Sequence, residues 1–149
     1  NLRELVLAQA GGWFIGPQII GFFIFFMAGI AESHRTPFDL PEAEHELTAG
    51  FHTEYSGMKF AMFFIGEYVS VLMSAAMITV LFFGGWLGPD WLPPLAWFLL
   101  KTIALVLLMI LIRGSLPRPR YDQLMAFGWK FMLPLSLLNL IITGALILI

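Results

Sequence analysis

These 149 residues read as an all-α, polytopic membrane protein, with four transmembrane helices and a short amphipathic helix in the first polar connector. Composition carries part of that reading. Hydrophobic residues make up 59% of the chain and charged residues 12%, and the mean hydropathy is +0.84, well outside the range of a soluble domain of this length. Distribution carries the rest. The apolar residues fall in runs at roughly 5–31, 59–83, 94–112 and 124–149, each near the span of about 20 helical residues that crosses a hydrocarbon core of roughly 30 Å. Connectors at roughly 32–58, 84–93 and 113–123 separate them within a single membrane domain. The opening Asn1-Leu2-Arg3-Glu4 lacks an initiator Met and leads straight into an apolar span, which predicts a fragment of a longer subunit.

The first span contains Gly11, Gly12, Gly16 and Pro17 near its middle. Pro17 has no backbone N–H and crowds the carbonyl of Trp13, so a kink or break is expected at 13–17. Gly12 and Gly16 form a small-xxx-small pair suited to close helix approach. The second and third spans are joined by "GGWLGPDWLPP", a turn-rich stretch in which Trp86, Trp91 and Trp97 mark the membrane interface. In the fourth span Pro134 predicts a kink. Arg35, Lys59, Arg113, Arg118 and Arg120 lie in or beside the first and third connectors, against Arg3 alone at the other end of the spans. Lys and Arg favour the cytoplasmic side, so the connectors at 32–58 and 113–123 are expected to be cytoplasmic and the loop at 84–93 external.

The first connector, "RTPFDLPEAEHELTAGFHTEYSG", concentrates the acids of the chain. Asp39 can cap a helix with Glu42 three residues on, Pro41 suits its first turn, and Gly50 ends it, so a short helix is predicted over 40–49. Glu42 and Glu46 are neighbours at i and i+4, a like-charge pair. Two readings follow: a solvated acidic loop, or a coupled carboxylate set that stores and passes protons. Phe38, Phe51 and Tyr55 weigh toward the second, because spaced aromatics can pack a flat apolar ligand. Glu67 lies about eight residues into the second span, roughly 12 Å from Lys59. Ser70 and Ser74 follow at i+3 and i+7, and an ionisable group at such depth is a functional candidate by default. Lys101, about seven residues into the third span, is within snorkelling reach of the outer interface, and Lys130 beside Trp129 reads as an interfacial anchor.

His34, His45 and His52 all fall in the connector, none within a span, and the chain has no cysteine. No metal site is expected, and redox centres are expected to reside in other chains. Two broad classes remain at this point, a subunit of a membrane redox complex and a secondary ion transporter with broken helices and buried acids.

Longer motifs narrow the choice. "ESHRTPFDLPEAEHELTAGFHTEYSGMKFAMFFIGEY", "LFFGGWLGP", "WFLLKT" and "RPRYDQLMAFGWKFMLPLSLLNL" resemble the C-terminal half of the quinone-chamber membrane subunit of the proton-pumping NADH:quinone oxidoreductases, the respiratory complex I family. The resemblance covers essentially the whole chain; Ser33-His34 departs locally from a common Thr-Asn. It implies a multi-pass subunit of the bacterial plasma membrane that helps enclose a quinone chamber. The quinone, ubiquinone or menaquinone, would be substrate, with NADH, FMN and iron–sulfur clusters in partner subunits. Implied partners are the peripheral iron–sulfur and quinone-site subunits, other membrane-arm subunits and the lipid bilayer, without nucleic acid. The chain itself would hold no catalytic residue. By matching position, Arg35, Phe38, Asp39 and Phe51 would line the chamber. Glu42, Glu44, Glu46, Glu54 and Glu67 would couple protons, and Arg118, Arg120, Tyr121 and Asp122 would support the subunit junction. A related membrane anchor of a hydrogenase or ferredoxin-linked complex is the nearest alternative; absence of an internal repeat weighs against the transporter.

Overall fold

The computed structural model describes residues 1–33, 38, 57–117 and 119–148. All secondary structure among them is helical. The helices are α1 (Leu2–Ala8), α2 (Ile19–Glu32), α3 (Met58–Phe82), α4 (Pro94–Ser115), α5 (Tyr121–Phe127) and α6 (Leu133–Leu148). The short helix predicted over 40–49 lies outside the described residues, as do Arg35, Asp39, Glu42, Glu44, Glu46, Phe51, Glu54 and Arg118.

Among the described residues, three stretches are long and apolar enough to cross a membrane as helices: Met58–Phe82, Pro94–Ser115 and Tyr121–Leu146. The first predicted span is built differently. Its α2 has 14 residues, about 21 Å at 1.5 Å per residue, too short to cross alone. The helix stops before the Gly-Gly pair and restarts only after Pro17, with a single 3₁₀ turn, Gln9–Gly11, following α1. Irregular backbone at membrane depth must be satisfied by protein. Here Ile15 N–H donates to the Phe82 carbonyl at 3.1 Å, local turns pair the N–H groups of Gly12, Gly16 and Gln18, and further bonds come from Gln9. Its side-chain amide donates to the carbonyls of Val80 (2.9 Å) and Leu81 (3.2 Å), while Oε1 accepts from Phe14 N–H at 3.4 Å. Only 1% of Gln9 is exposed, so these bonds have little competition from solvent.

The core lies where α2, α3 and α4 meet. On α3 the buried positions are Val71, Ser74, Ala75, Ile78 and Thr79, spaced i, i+3, i+4, i+7, i+8, which is one face of a helix. They meet Phe26 and Ile30 of α2 and Leu105 and Met109 of α4. Lipid is as apolar as leucine, so packing of small residues and polar bonds, rather than expulsion of water, holds such helices together. Gly29 shows the first: a Cβ there would come within 3.3 Å of Ser74 Cβ, so α2 and α3 touch almost backbone to backbone. Thr79 shows the second, its Oγ1 lying 3.4 Å from Thr102 Oγ1 across the α3–α4 contact.

The α3–α4 turn reverses at Gly84 (φ 69°) and Gly85 (φ 53°), a left-handed pair that side-chain-bearing residues rarely adopt. At Gly85 an added Cβ would also press on Val6 at 3.1 Å. Pro94 starts α4 where its missing donor costs no helical bond. The kink predicted at Pro134 takes a particular form. Residues Gly128–Met132 are wound as a π-turn, in which Leu133 N–H reaches back five residues to the Gly128 carbonyl. Widening the turn accommodates the i−4 carbonyl that Pro134 can neither bond nor approach. The C-terminal half of α6 is tied to the start of α2 by Gln18, whose amide donates to Thr143 Oγ1 at 2.8 Å while its carbonyl accepts from Asn139 Nδ2 at 3.3 Å.

Candidate functional site

The hydroxyl pair Thr79–Thr102 sets the register of the antiparallel α3 and α4. Counting back twelve residues on α3 reaches Glu67, and counting on twelve on α4 reaches Gly114, each about 18 Å from that pair. Glu67 is therefore level with the penultimate residue of α4, which ends at Ser115. Measured from Lys59 its carboxyl is well inside the span; measured against its neighbour it stands at the boundary. The reason is length: α3 has 25 residues, about 37 Å, and its first turns project past α4 toward the acidic connector. Glu67 is half-buried there and is engaged by neighbouring groups.

From that level a groove of about 500 Å³ runs inward between α2 and α3. Glu32, the last residue of α2, stands at its mouth; Gly66 and Ser70 line it next, and Ser74 lies deeper beside Gly29. The close approach at Gly29 that seats α2 on α3 lies along the groove, whose inner end is lined by Phe25 and Met77. Glu32 was not among the sequence candidates. A lone acid at the end of an apolar run resembles any span boundary, and only the groove it shares with Ser70 and Ser74 gives it company. The groove thus offers one carboxyl at its mouth and two hydroxyls along it, with Glu67 at the level of the mouth on α3, groups able to hand a proton onward when bridged by water.

The remaining sequence candidates spread out. Phe38 is partly buried and packs against the α2–α3–α4 core. Arg120, Tyr121 and Asp122 are exposed at the start of α5, where Arg120 N–H donates to Gln123 Oε1 at 3.3 Å and Asp122 occupies the first turn, favourable for an acid. Lys130 is exposed within the π-turn. Lys101 does reach toward the α3–α4 turn, but its ammonium ends in protein rather than water. Nζ donates to the carbonyls of Phe83 (2.7 Å), Gly85 (3.2 Å) and Leu87 (2.6 Å) and lies 4.7 Å from the Trp13 ring centroid.

The family model described as "NADH dehydrogenase" matches residues 1–144. The H subunit of the NADH-quinone oxidoreductase of Methylococcus capsulatus is 63% identical over 145 residues, which is 97% of this chain and 46% of that protein. The chain thus spans about half the length of the curated relative it matches.

Proposed function

The chain belongs to the NADH dehydrogenase family, and on that premise we propose that it is part of the membrane subunit of a proton-translocating NADH:quinone oxidoreductase. In this reading it helps form the quinone chamber and couples quinone reduction to proton movement. The observation that carries it is the groove from Glu32 past Ser70 to Ser74, opening at the level of Glu67 on the end of the spans where the acidic connector lies.

Electrons come from partner subunits bearing FMN and iron–sulfur clusters, for this stretch contributes no cysteine ligand. Quinone is the substrate, with Arg35, Phe38, Asp39 and Phe51 assigned to the chamber wall. Its reduction takes up protons and changes the charge near the connector by whole units. Where water is scarce, such a change strongly alters the affinity of neighbouring carboxyls for protons. Glu42, Glu44, Glu46 and Glu54 respond first. Glu67 and Glu32 then form the port through which that response enters the bundle. Arg118, Arg120, Tyr121 and Asp122 are assigned to the junction with the peripheral subunits.

Affinity purification through the full-length protein tests the assignment. Iron–sulfur subunits and NADH:quinone activity are expected to co-purify. Recovery instead with hydrogenase subunits, or ion transport by the isolated full-length chain, overturns it. Placement in the membrane has its own check. With the connectors at 32–58 and 113–123 cytoplasmic, a cysteine introduced as Asp90→Cys reacts with an impermeant maleimide from the external face only. Labelling from the cytoplasmic face reverses the orientation.

A further inference from the structure

A concavity of about 390 Å³ lies at the α3–α4 turn, the end of the bundle away from Glu32 and Glu67. Three tryptophans, Trp86, Trp91 and Trp97, and one carboxylate, Asp90, line it. Trp97 is fixed by the turn itself: its Nε1 donates to the Pro89 carbonyl at 2.9 Å, and its ring lies so close to Gly88 that a Cβ there would fall 2.6 Å from it. Trp91 meets Trp97 edge to face, with centroids 5.3 Å apart and planes at 84°. Among the described residues no acceptor meets the indole N–H of Trp86 or Trp91, and no ion pair or hydrogen bond engages Asp90. The turn has no lysine or arginine, and the ammonium of Lys101 is taken by the carbonyls of Phe83, Gly85 and Leu87. The charge of Asp90 is therefore unmatched within the described chain. Both α3 and α4 are long enough to cross a membrane, so the turn that joins them stands at headgroup level. The side of α4 that leads away from it has the composition of a lipid-facing surface. Leu95, Leu99, Ile103, Leu107 and Leu111 form a ridge of four-residue steps, 49% to 69% exposed, without the small or polar residues by which membrane helices approach one another. Those of α4 that are polar, Lys101 and Thr102, are on its buried face.

We propose that the turn binds the headgroup of an ethanolamine phospholipid, with its ammonium against Asp90 and the tryptophan faces and its phosphate on the indole N–H groups of Trp86 and Trp91. The acyl chains follow the α4 ridge from Leu95. Charge selects the occupant. A carboxylate beside aromatic faces attracts a cation, and a primary ammonium adds N–H donors to that carboxylate which a choline headgroup lacks. Indole N–H groups only donate, so they suit the phosphate at the other end of the same headgroup. A glycerol headgroup offers Asp90 no cation at all.

The test uses the full-length protein, purified with the subunits that accompany it, and a phosphatidylethanolamine carrying a photoactivatable group on its acyl chain. Lipid labelling is the readout, so the result does not depend on quinone activity. Crosslinks are expected at residues 95–103, and a phosphatidylglycerol probe of the same design should give about threefold fewer or less. Asp90→Asn should lower ethanolamine labelling by about threefold or more, the weight of one exposed charge-assisted bond, and raise glycerol labelling, so that the preference collapses. Asp90 is exposed and bonds no described residue, so the substitution leaves the fold intact. Trp86→Phe, which keeps a ring and removes one indole N–H, should lower labelling by both lipids. Equal labelling by the two lipids in the unaltered protein, or a preference that survives Asp90→Asn, overturns the proposal. So does a zero-length carbodiimide crosslink from Asp90 to a lysine of another subunit, or a turn that no lipid labels.

Discussion

Replacing Glu67 by Gln in the full-length protein, with normal assembly of the complex verified, is expected to lower quinone-linked proton translocation by about tenfold or more, within the range by which positioned proton-transfer groups act. The substitution keeps size and hydrogen-bonding capacity and removes only the ability to bind and release a proton. A purely structural Glu67 would tolerate it. The expectation rests on place: the carboxyl stands at the end of α4, where the connector side meets the groove toward Ser74. Glu32→Gln probes the same entry from α2. If the two acids act in series, the double variant is scarcely worse than the more damaged single one; independent routes would multiply the losses. Undiminished pumping in assembled Glu67→Gln complex removes Glu67 from the path.

Much of the architecture was legible in the sequence because it rests on local chemistry. Apolar runs of membrane-crossing length, an aromatic-marked turn and Pro-Gly interruptions all act within a few residues of themselves. Less legible was what the interruptions do. Pro17 and the glycines signal a broken helix, yet closure of the break depends on Gln9 reaching carbonyls 71 and 72 positions away. An amide in an apolar span was the available signal: Gln9, Gln18 and Asn139 all sit in otherwise greasy stretches, and all three make long-range side-chain bonds. Pro134 likewise announces a bend, but not that it would be a π-turn. The depth of Glu67 shows a different limit. Counting from the start of its own span gives about 12 Å, whereas the height that matters is set by a hydroxyl contact with another helix. Glu32 escaped notice because the groove it shares with residues of another helix, not spacing, distinguishes it.

The two ends of the bundle depend on each other through α2. Its C-terminal end carries Glu32 and leans on α3 at Gly29; its N-terminal end begins at a break with no continuous helix to hold it. Any rotation at the break moves Glu32 relative to Ser70 and Ser74. The groove therefore keeps its shape only if the end at the break is fixed, and the contacts that fix it are polar.

Lys101→Met is accordingly expected to destabilise the assembled complex by about 2–4 kcal/mol. Each buried acceptor left unpaired costs roughly 1–3 kcal/mol, and the sum is reduced because polar bonds between membrane helices are often weaker than that. Lys101 is 8% exposed, and its three donors reach three carbonyls at the end of α3 and in the turn that follows. No carboxylate stands among these contacts. The negative end of the α3 dipole and the face of Trp13 provide the compensation for its charge. Trp13 belongs to the break itself, so the same ammonium joins the α3–α4 turn to the interrupted first span. Methionine retains the unbranched stem and its packing, which isolates the loss of the charge and its bonds. A fall of several degrees in the thermal dissociation midpoint of the purified complex is the expected readout. Lys101→Arg should recover it only in part, because a planar fork cannot direct its donors as a tetrahedral ammonium does. An unchanged midpoint for the methionine variant would mean that water already reaches these carbonyls, and that the break is held by Gln9 and Gln18 without the lysine.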